Sequence, residues 1–70
     1  MGKPISYERQ LANYLRKARG DETFRAFAKK LGISPSSLQR LEQAEQNVTL
    51  RTVRQITSRL VVPIRDIFSD

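Results

Sequence analysis

The chain has 70 residues, 13 Lys+Arg against 7 Asp+Glu, a formal charge of +6 and a pI near 10.6, which gives room for one small domain and not two. With 39% hydrophobic and 29% charged residues, 3 Gly and 3 Pro, its composition is globular and fits neither low-complexity disorder, collagen nor a coiled coil. There is no Cys and no His, which removes disulfides, thiolate chemistry and the usual zinc ligands, so no metal and no cofactor is expected.

No aliphatic run exceeds Leu60-Val61-Val62, far short of the roughly 20 residues that span a bilayer. The N-terminus, Met1 to Ser6, lacks the apolar segment of a signal peptide. The expectation is a soluble cytoplasmic chain with no membrane partner. Its charge is uneven: residues 1–31 hold eight basic and three acidic groups, residues 32–70 five and four. A basic domain of this size suggests a polyanion, nucleic acid above all.

Five helices are predicted in chain order, with no strand. Residues 1–6 read as an N-terminal arm and 7–70 as the domain. The first helix spans about Tyr7 to Arg19, with Ser6 as N-cap and Tyr7, Leu11, Tyr14, Leu15 and Ala18 on one face. Gly20-Asp21 ends it. The second spans about Phe24 to Leu31, capped by Thr23 or Asp21, with Phe24, Phe27, Ala28 and Leu31 as its stripe. Gly32 follows where a positive φ is often needed.

The third spans about Pro35 to Gln43, capped by Ser34, with Pro35 at N1. Leu38 and Leu41 form a narrow apolar edge, and Ser36, Gln39, Arg40 and Gln43 a polar stripe opposite. The fourth follows Thr49, from Leu50 to Leu60, with Leu50, Val53, Ile56, Thr57 and Leu60 inward and Arg51, Arg54 and Arg59 outward. A short last helix starts with Pro63 at N1 and buries part of Ile64, Ile67 and Phe68.

The second and third helices carry the functional signal. Ala28 is small enough for close helix approach, Gly32 permits a tight turn, and Leu38 and Leu41 anchor one helix on the other. The spacing of Ala28, Gly32 and Leu38 is that of a helix-turn-helix. The stretch from Thr23 to Glu42, within a motif of about residues 23–43, resembles the helix-turn-helix of the phage repressor/Cro type. The likeness extends through Asn47-Val-Thr-Leu50, Leu60 and Ile64 to Phe68, and back to the Leu15-Arg-Lys-Ala-Arg19 run. The resemblance implies an all-α, five-helix lambda-repressor-like DNA-binding domain that regulates transcription as a dimer.

Three features depart from that pattern: the Arg19–Thr23 connection is about two residues short, Ala44 stands where Gly is frequent, and Val48 where Pro is common. At Ala44 either the third helix runs on or an alanine takes a positive φ.

The polar stripe of the third helix has an ordinary reading as a solvated face. In a helix-turn-helix, that face enters the major groove of double-stranded DNA. Arg40 suits guanine O6 and N7, Gln39 suits adenine N6 and N7, Ser36 serves either base type, and Pro35 or Ser36 can meet a thymine methyl. Ser37 and Gln43 flank these and are assigned to phosphate. Helix N-termini attract phosphate, which nominates Thr23 and the Phe24 backbone at the second helix, and Asn47, Thr49, Arg51 and Arg54 at the fourth. The resemblance makes Glu42 structural, paired with Arg19 or Arg16. Phe24, Phe27, Tyr7 and Tyr14 lie on apolar stripes and read as core or core edge, not as base-stacking platforms.

The sequence is too short for a separate dimerisation domain, so a homodimer would use Val61, Val62, Ile64, Ile67 and Phe68. The leading reading is a sequence-specific, dimeric repressor of a pseudo-palindromic operator. Alternatives are a DNA-binding antitoxin with a toxin partner, or a protein-interaction module that keeps the fold without specific DNA binding. An enzyme is not expected: there is no His or Cys, no Gly-rich phosphate loop and no paired-carboxylate cleft.

Overall fold

A computed structural model describes residues 6–45 and 48–68, and among these every regular element is a helix. They are α1 (Tyr7–Arg19), α2 (Phe24–Leu31), α3 (Pro35–Glu42), α4 (Leu50–Leu60) and α5 (Ile64–Ile67). Four of the five start on a hydroxyl side chain. Ser6, Thr23, Ser34 and Thr49 accept bonds from the N–H groups of Arg9, Ala26, Ser37 and Thr52 at 3.1–3.2 Å. Each cap satisfies a donor that has no partner within its own helix. Thr23, not Asp21, therefore sets the start of α2. Pro63 is the N-cap of α5, one position before the N1 place expected for it, because its φ of −75° goes with an extended ψ of 153°.

The helix ends depend on backbone geometry. Gly32 is left-handed, with φ 73°, and lets the Ile33 N–H reach the Ala28 carbonyl at 3.0 Å. At Ala44 the second expectation holds: α3 stops, and the alanine sits at φ 57°. Val61 does the same at the end of α4, with φ 56°.

The core gathers Leu11 and Leu15 of α1, Phe27, Ala28 and Leu31 of α2, Leu38 and Leu41 of α3, Ile56 of α4 and Ile67 of α5. Ala28 is fully buried, as close approach of α3 to α2 requires. Fully buried Leu and Phe side chains each contribute about 1.5–3 kcal/mol, so α3 is held by its Leu38–Leu41 edge against both α1 and α2.

Three residues assigned inward from periodicity lie outside. Tyr7 is 70% exposed and Leu50 65% exposed, each in the first turn of its helix, and Ala18 is exposed near the end of α1. Among the described residues, no second layer of helices covers these helix ends. Tyr7 instead meets Phe68 edge-on, ring centroids 5.5 Å apart. Ile67, expected on a dimer surface, faces inward at 5% exposure and belongs to the core.

Candidate nucleic-acid interface

The site is built on α3, whose two faces differ because its sequence alternates in character at helical spacing. Leu38 and Leu41 are buried, which turns Pro35, Ser36, Gln39, Arg40 and Gln43 outward, all of them exposed. Arg40 takes part in no ion pair among the described residues; the pairs there are Arg19–Glu42 and Lys30–Glu22. Its guanidinium can therefore present a planar fork of donors to an acceptor pair. Ser37 is half-buried and its hydroxyl is engaged by that of Ser34 at 2.9 Å.

The turn that aims α3 is held from behind by α4. The Gln55 side-chain amide donates to the carbonyls of both Leu31 and Gly32, each at 2.9 Å. The Arg59 guanidinium lies over Gly32 so closely that a Cβ there would stand 3.0 Å from both Arg59 Nη2 and Gln55 Nε2. Gly32 is thus favoured by its positive φ, whereas a Cβ there would require only that the side-chain tips of Arg59 and Gln55 give by a few tenths of an ångström. Sequence reading had no signal for this role of Gln55.

On the other side, the end of α3 is fixed to α1 through Glu42, which is 3% exposed. Its carboxylate accepts two bonds from Arg19, from Nε at 2.8 Å and from Nη2 at 3.1 Å. Its backbone carbonyl accepts a bond from Arg16 Nε at 3.1 Å. Arg19 also donates to the Glu22 carbonyl at 3.0 Å, and its guanidinium stacks 4.1 Å above the Phe24 ring. One arginine thus ties the end of α1, the short connection after it, the start of α2 and the end of α3. The hydrogen bonds to Glu42 raise the Arg19 pKa above the ordinary arginine value, partly opposed by desolvation and aided by the carboxylate's charge. While the Glu42 carboxylate is ionised, the raised pKa stabilises the folded state below the ordinary arginine value, and that contribution is lost as pH rises through the arginine range.

This geometry neutralises the acid nearest the polar stripe. It also explains how a phenylalanine stands at position 24: its ring is a platform for Arg19 and leaves the α2 N-terminus to its backbone N–H groups. Thr23 at that N-terminus is exposed, as are Thr49, Arg51 and Arg54 at the start of α4. Asn47, assigned to the same phosphate-binding group, lies outside the described residues. Of the residues assigned to a dimer surface, Val61 is 87% exposed and Ile64 43%, whereas Val62 and Phe68 are half-buried.

Two grooves flank these features. A polar one of about 350 Å³ runs between α1 and the end of α3, walled by Arg9, Asn13, Arg16, Gln43 and Ala44. An apolar one of about 420 Å³ is rimmed by Tyr7, Val48, Leu50, Val53, Ile64 and Phe68. Among the described residues no group of His, Cys, Asp or Glu could hold a metal ion, and no helix is long and apolar enough to cross a membrane.

A family model described as a helix-turn-helix domain matches residues 10–66, from the first turn of α1 to the middle of α5. No curated protein and no solved structure matches the chain.

Proposed function

The chain belongs to the helix-turn-helix domain family, and from that premise we propose that it is a sequence-specific regulator of transcription that binds double-stranded DNA as a dimeric repressor of the phage repressor/Cro type. The observation that carries this reading is the exposed stripe of α3, with Arg40 unpaired among the described residues and its acidic neighbour Glu42 already neutralised by Arg19. A helix about 10–12 Å across fits a major groove about 12 Å wide. There Arg40 reads guanine, Gln39 adenine, and Ser36 with Pro35 a neighbouring pair. Thr23 and the Phe24 backbone hold one strand's phosphates; Ser37, Gln43, Thr49, Arg51 and Arg54 supply further phosphate contacts. Asn47 is assigned with them on the sequence alone.

A homodimer follows from the way such helices read symmetric sites, with two copies of α3 about 34 Å apart. The exposed Val61 and Ile64, with Val62 and Phe68 beside them, are the apolar surface that supports it. The same surface would serve a toxin in an antitoxin, the second reading kept here, because an exposed apolar patch marks a partner without naming it.

Selection from a random duplex library at physiological salt tests the proposal. The expected result is a two-fold-symmetric motif with half-sites one helical turn apart. Arg40→Ala is then expected to cost about 1–3 kcal/mol on the selected duplex and relax preference at one base pair. Binding with no enriched motif, or an equal loss for Arg40→Ala on every sequence, would overturn base reading by α3.

A further inference from the structure

The polar groove between α1 and α3 holds arginines that neither the fold nor the base-reading stripe uses in full. Arg9, Asn13 and Arg16 are spaced i, i+4 and i+7 on α1, so they share one helix face. All three are exposed. Arg16 spends only its Nε on the Glu42 carbonyl, which orients its guanidinium beside the groove. The side chains of Arg9 and Asn13 make no hydrogen bond or ion pair among the described residues, and Arg16 makes no ion pair there. Glu42 also lines the groove, but its carboxylate is held by both Arg19 bonds. Arg9 and Arg16 therefore remain as two uncompensated positive charges in a concave polar site.

The position of the groove says what the charge meets. Its far wall is Gln43, the last member of the α3 polar stripe, and Ala44, where the left-handed turn ends the helix. The groove thus continues the face that enters the DNA. α3 packs against α2 on one side and α1 on the other. A helix nearly as wide as the major groove brings its two flanking elements against the two opposite phosphate strands. The α2 N-terminus serves one strand. We propose that the Arg9–Asn13–Arg16 face of α1 binds the other, seating a phosphodiester of the duplex between the two guanidinium groups with the Asn13 amide as a third donor. Arginine forks match phosphate oxygens in two-bond geometry.

This inference rests on the DNA-binding reading and extends the contact surface to a helix that reads no bases. It assigns α1 to affinity and not to sequence preference.

The test compares wild type, Arg9→Ala, Arg9→Lys and the double variant Arg9→Ala/Arg16→Ala on the selected duplex and on a scrambled one, over a range of salt. Thermal melts check that each variant folds; the Arg9 side chain makes no bond among the described residues, and its backbone N–H bond to Ser6 survives substitution. Arg9→Ala is expected to weaken both duplexes by the same factor. Its log–log salt slope should fall by about 0.9, the value for one phosphate contact. Arg9→Lys should restore the slope, since a lysine keeps the charge. An unchanged slope in Arg9→Ala, with Arg51→Ala shifted in parallel as control, would overturn the proposal. So would a response of the Asn13 side-chain amide signal to inorganic phosphate with the DNA slope unchanged, which would make the groove a site for a free anion. If the wild type shows no preference between the duplexes, base reading fails, but the slope comparison still decides the groove.

Discussion

Replacing Val61 by glycine should stabilise the domain while weakening its action on DNA. Val61 sits at φ 56° and ψ 50° at the end of α4. The left-handed region costs an L-residue roughly 1–2 kcal/mol, and a β-branched side chain belongs at the upper end of that range. Burial does not repay this, because Val61 is 87% exposed and touches little. The turn itself depends on backbone bonds, Val61 N–H to Ser58 at 3.3 Å and Val62 N–H to Thr57 at 3.0 Å, which glycine keeps. Against the relieved strain stands the added freedom of glycine in the unfolded chain, about 0.4–1 kcal/mol. The balance is a gain of about 0.5–1.5 kcal/mol, and a domain of this size shifts by about 4–8 °C per kcal/mol. Circular-dichroism melts at low protein concentration measure it, with Ala44→Gly at φ 57° as the matched control. Both should melt higher than the parent. Only Val61→Gly should lose affinity for a two-half-site duplex relative to a single half-site, since Val61 lies on the proposed dimer surface. An unchanged or lower Tm for Val61→Gly at the lowest concentration would refute the strain argument.

Three further outcomes are expected. Arg51→Ala should reduce affinity on all duplexes alike and lower the salt slope by about 1 in titrations across salt, and an unchanged slope removes Arg51 from the phosphate set. Gln55→Ala removes two bonds that hold the turn before α3, and at a net 0.5–1.5 kcal/mol each in a part-exposed site should cost about 1–2 kcal/mol in denaturant unfolding; a variant as stable as the parent would mean that Gln55 does not hold the turn. Glu42→Gln should lower the Tm by removing the charge from the Arg19 contact, and Glu42→Ala should lower it further, with DNA affinity falling in the same order as α3 loosens; equal melts for all three would show the pair to be dispensable.

Much of the fold was legible because short helices announce themselves twice, by a cap and by a stripe. Ser6, Thr23, Ser34 and Thr49 each stand immediately before an apolar repeat, and each bonds a first-turn N–H in the structure. The α3 stripe was legible for a related reason: once Leu38 and Leu41 are inward, helical geometry leaves Ser36, Gln39, Arg40 and Gln43 no other side. The base-reading role proposed for α3 came from its place in a helix-turn-helix and not from the stripe, which alone is an ordinary solvated face. The connections between helices were less legible. Nothing in the sequence says that Gln55, 23 residues after Gly32, caps that turn's carbonyls, because a tertiary bond of this kind has no period. Ala44 left two conformations open, since an alanine can continue a helix or end one, and only the packed position of the next segment decides between them.

The apolar residues that periodicity misplaced bear on whether the chain works in pairs. A stripe identifies the face of a helix that avoids water, but it is silent on what covers that face. Leu11 and Leu15 are covered by α2, α3 and α5 in the same chain; Tyr7, one turn earlier on the same stripe, is not. Leu50 stands in the same relation to Val53 and Ile56. These two uncovered ends meet across one groove, with Ile64 on its rim and Phe68 in its wall. Val61 holds a strained conformation without any burial in the monomer. Few elements surround the stripe ends in so small a domain, and no burial at Val61 offsets its strain. In the dimer proposed above, a second copy would lie on the α4–α5 side, where Val61 and Ile64 are exposed.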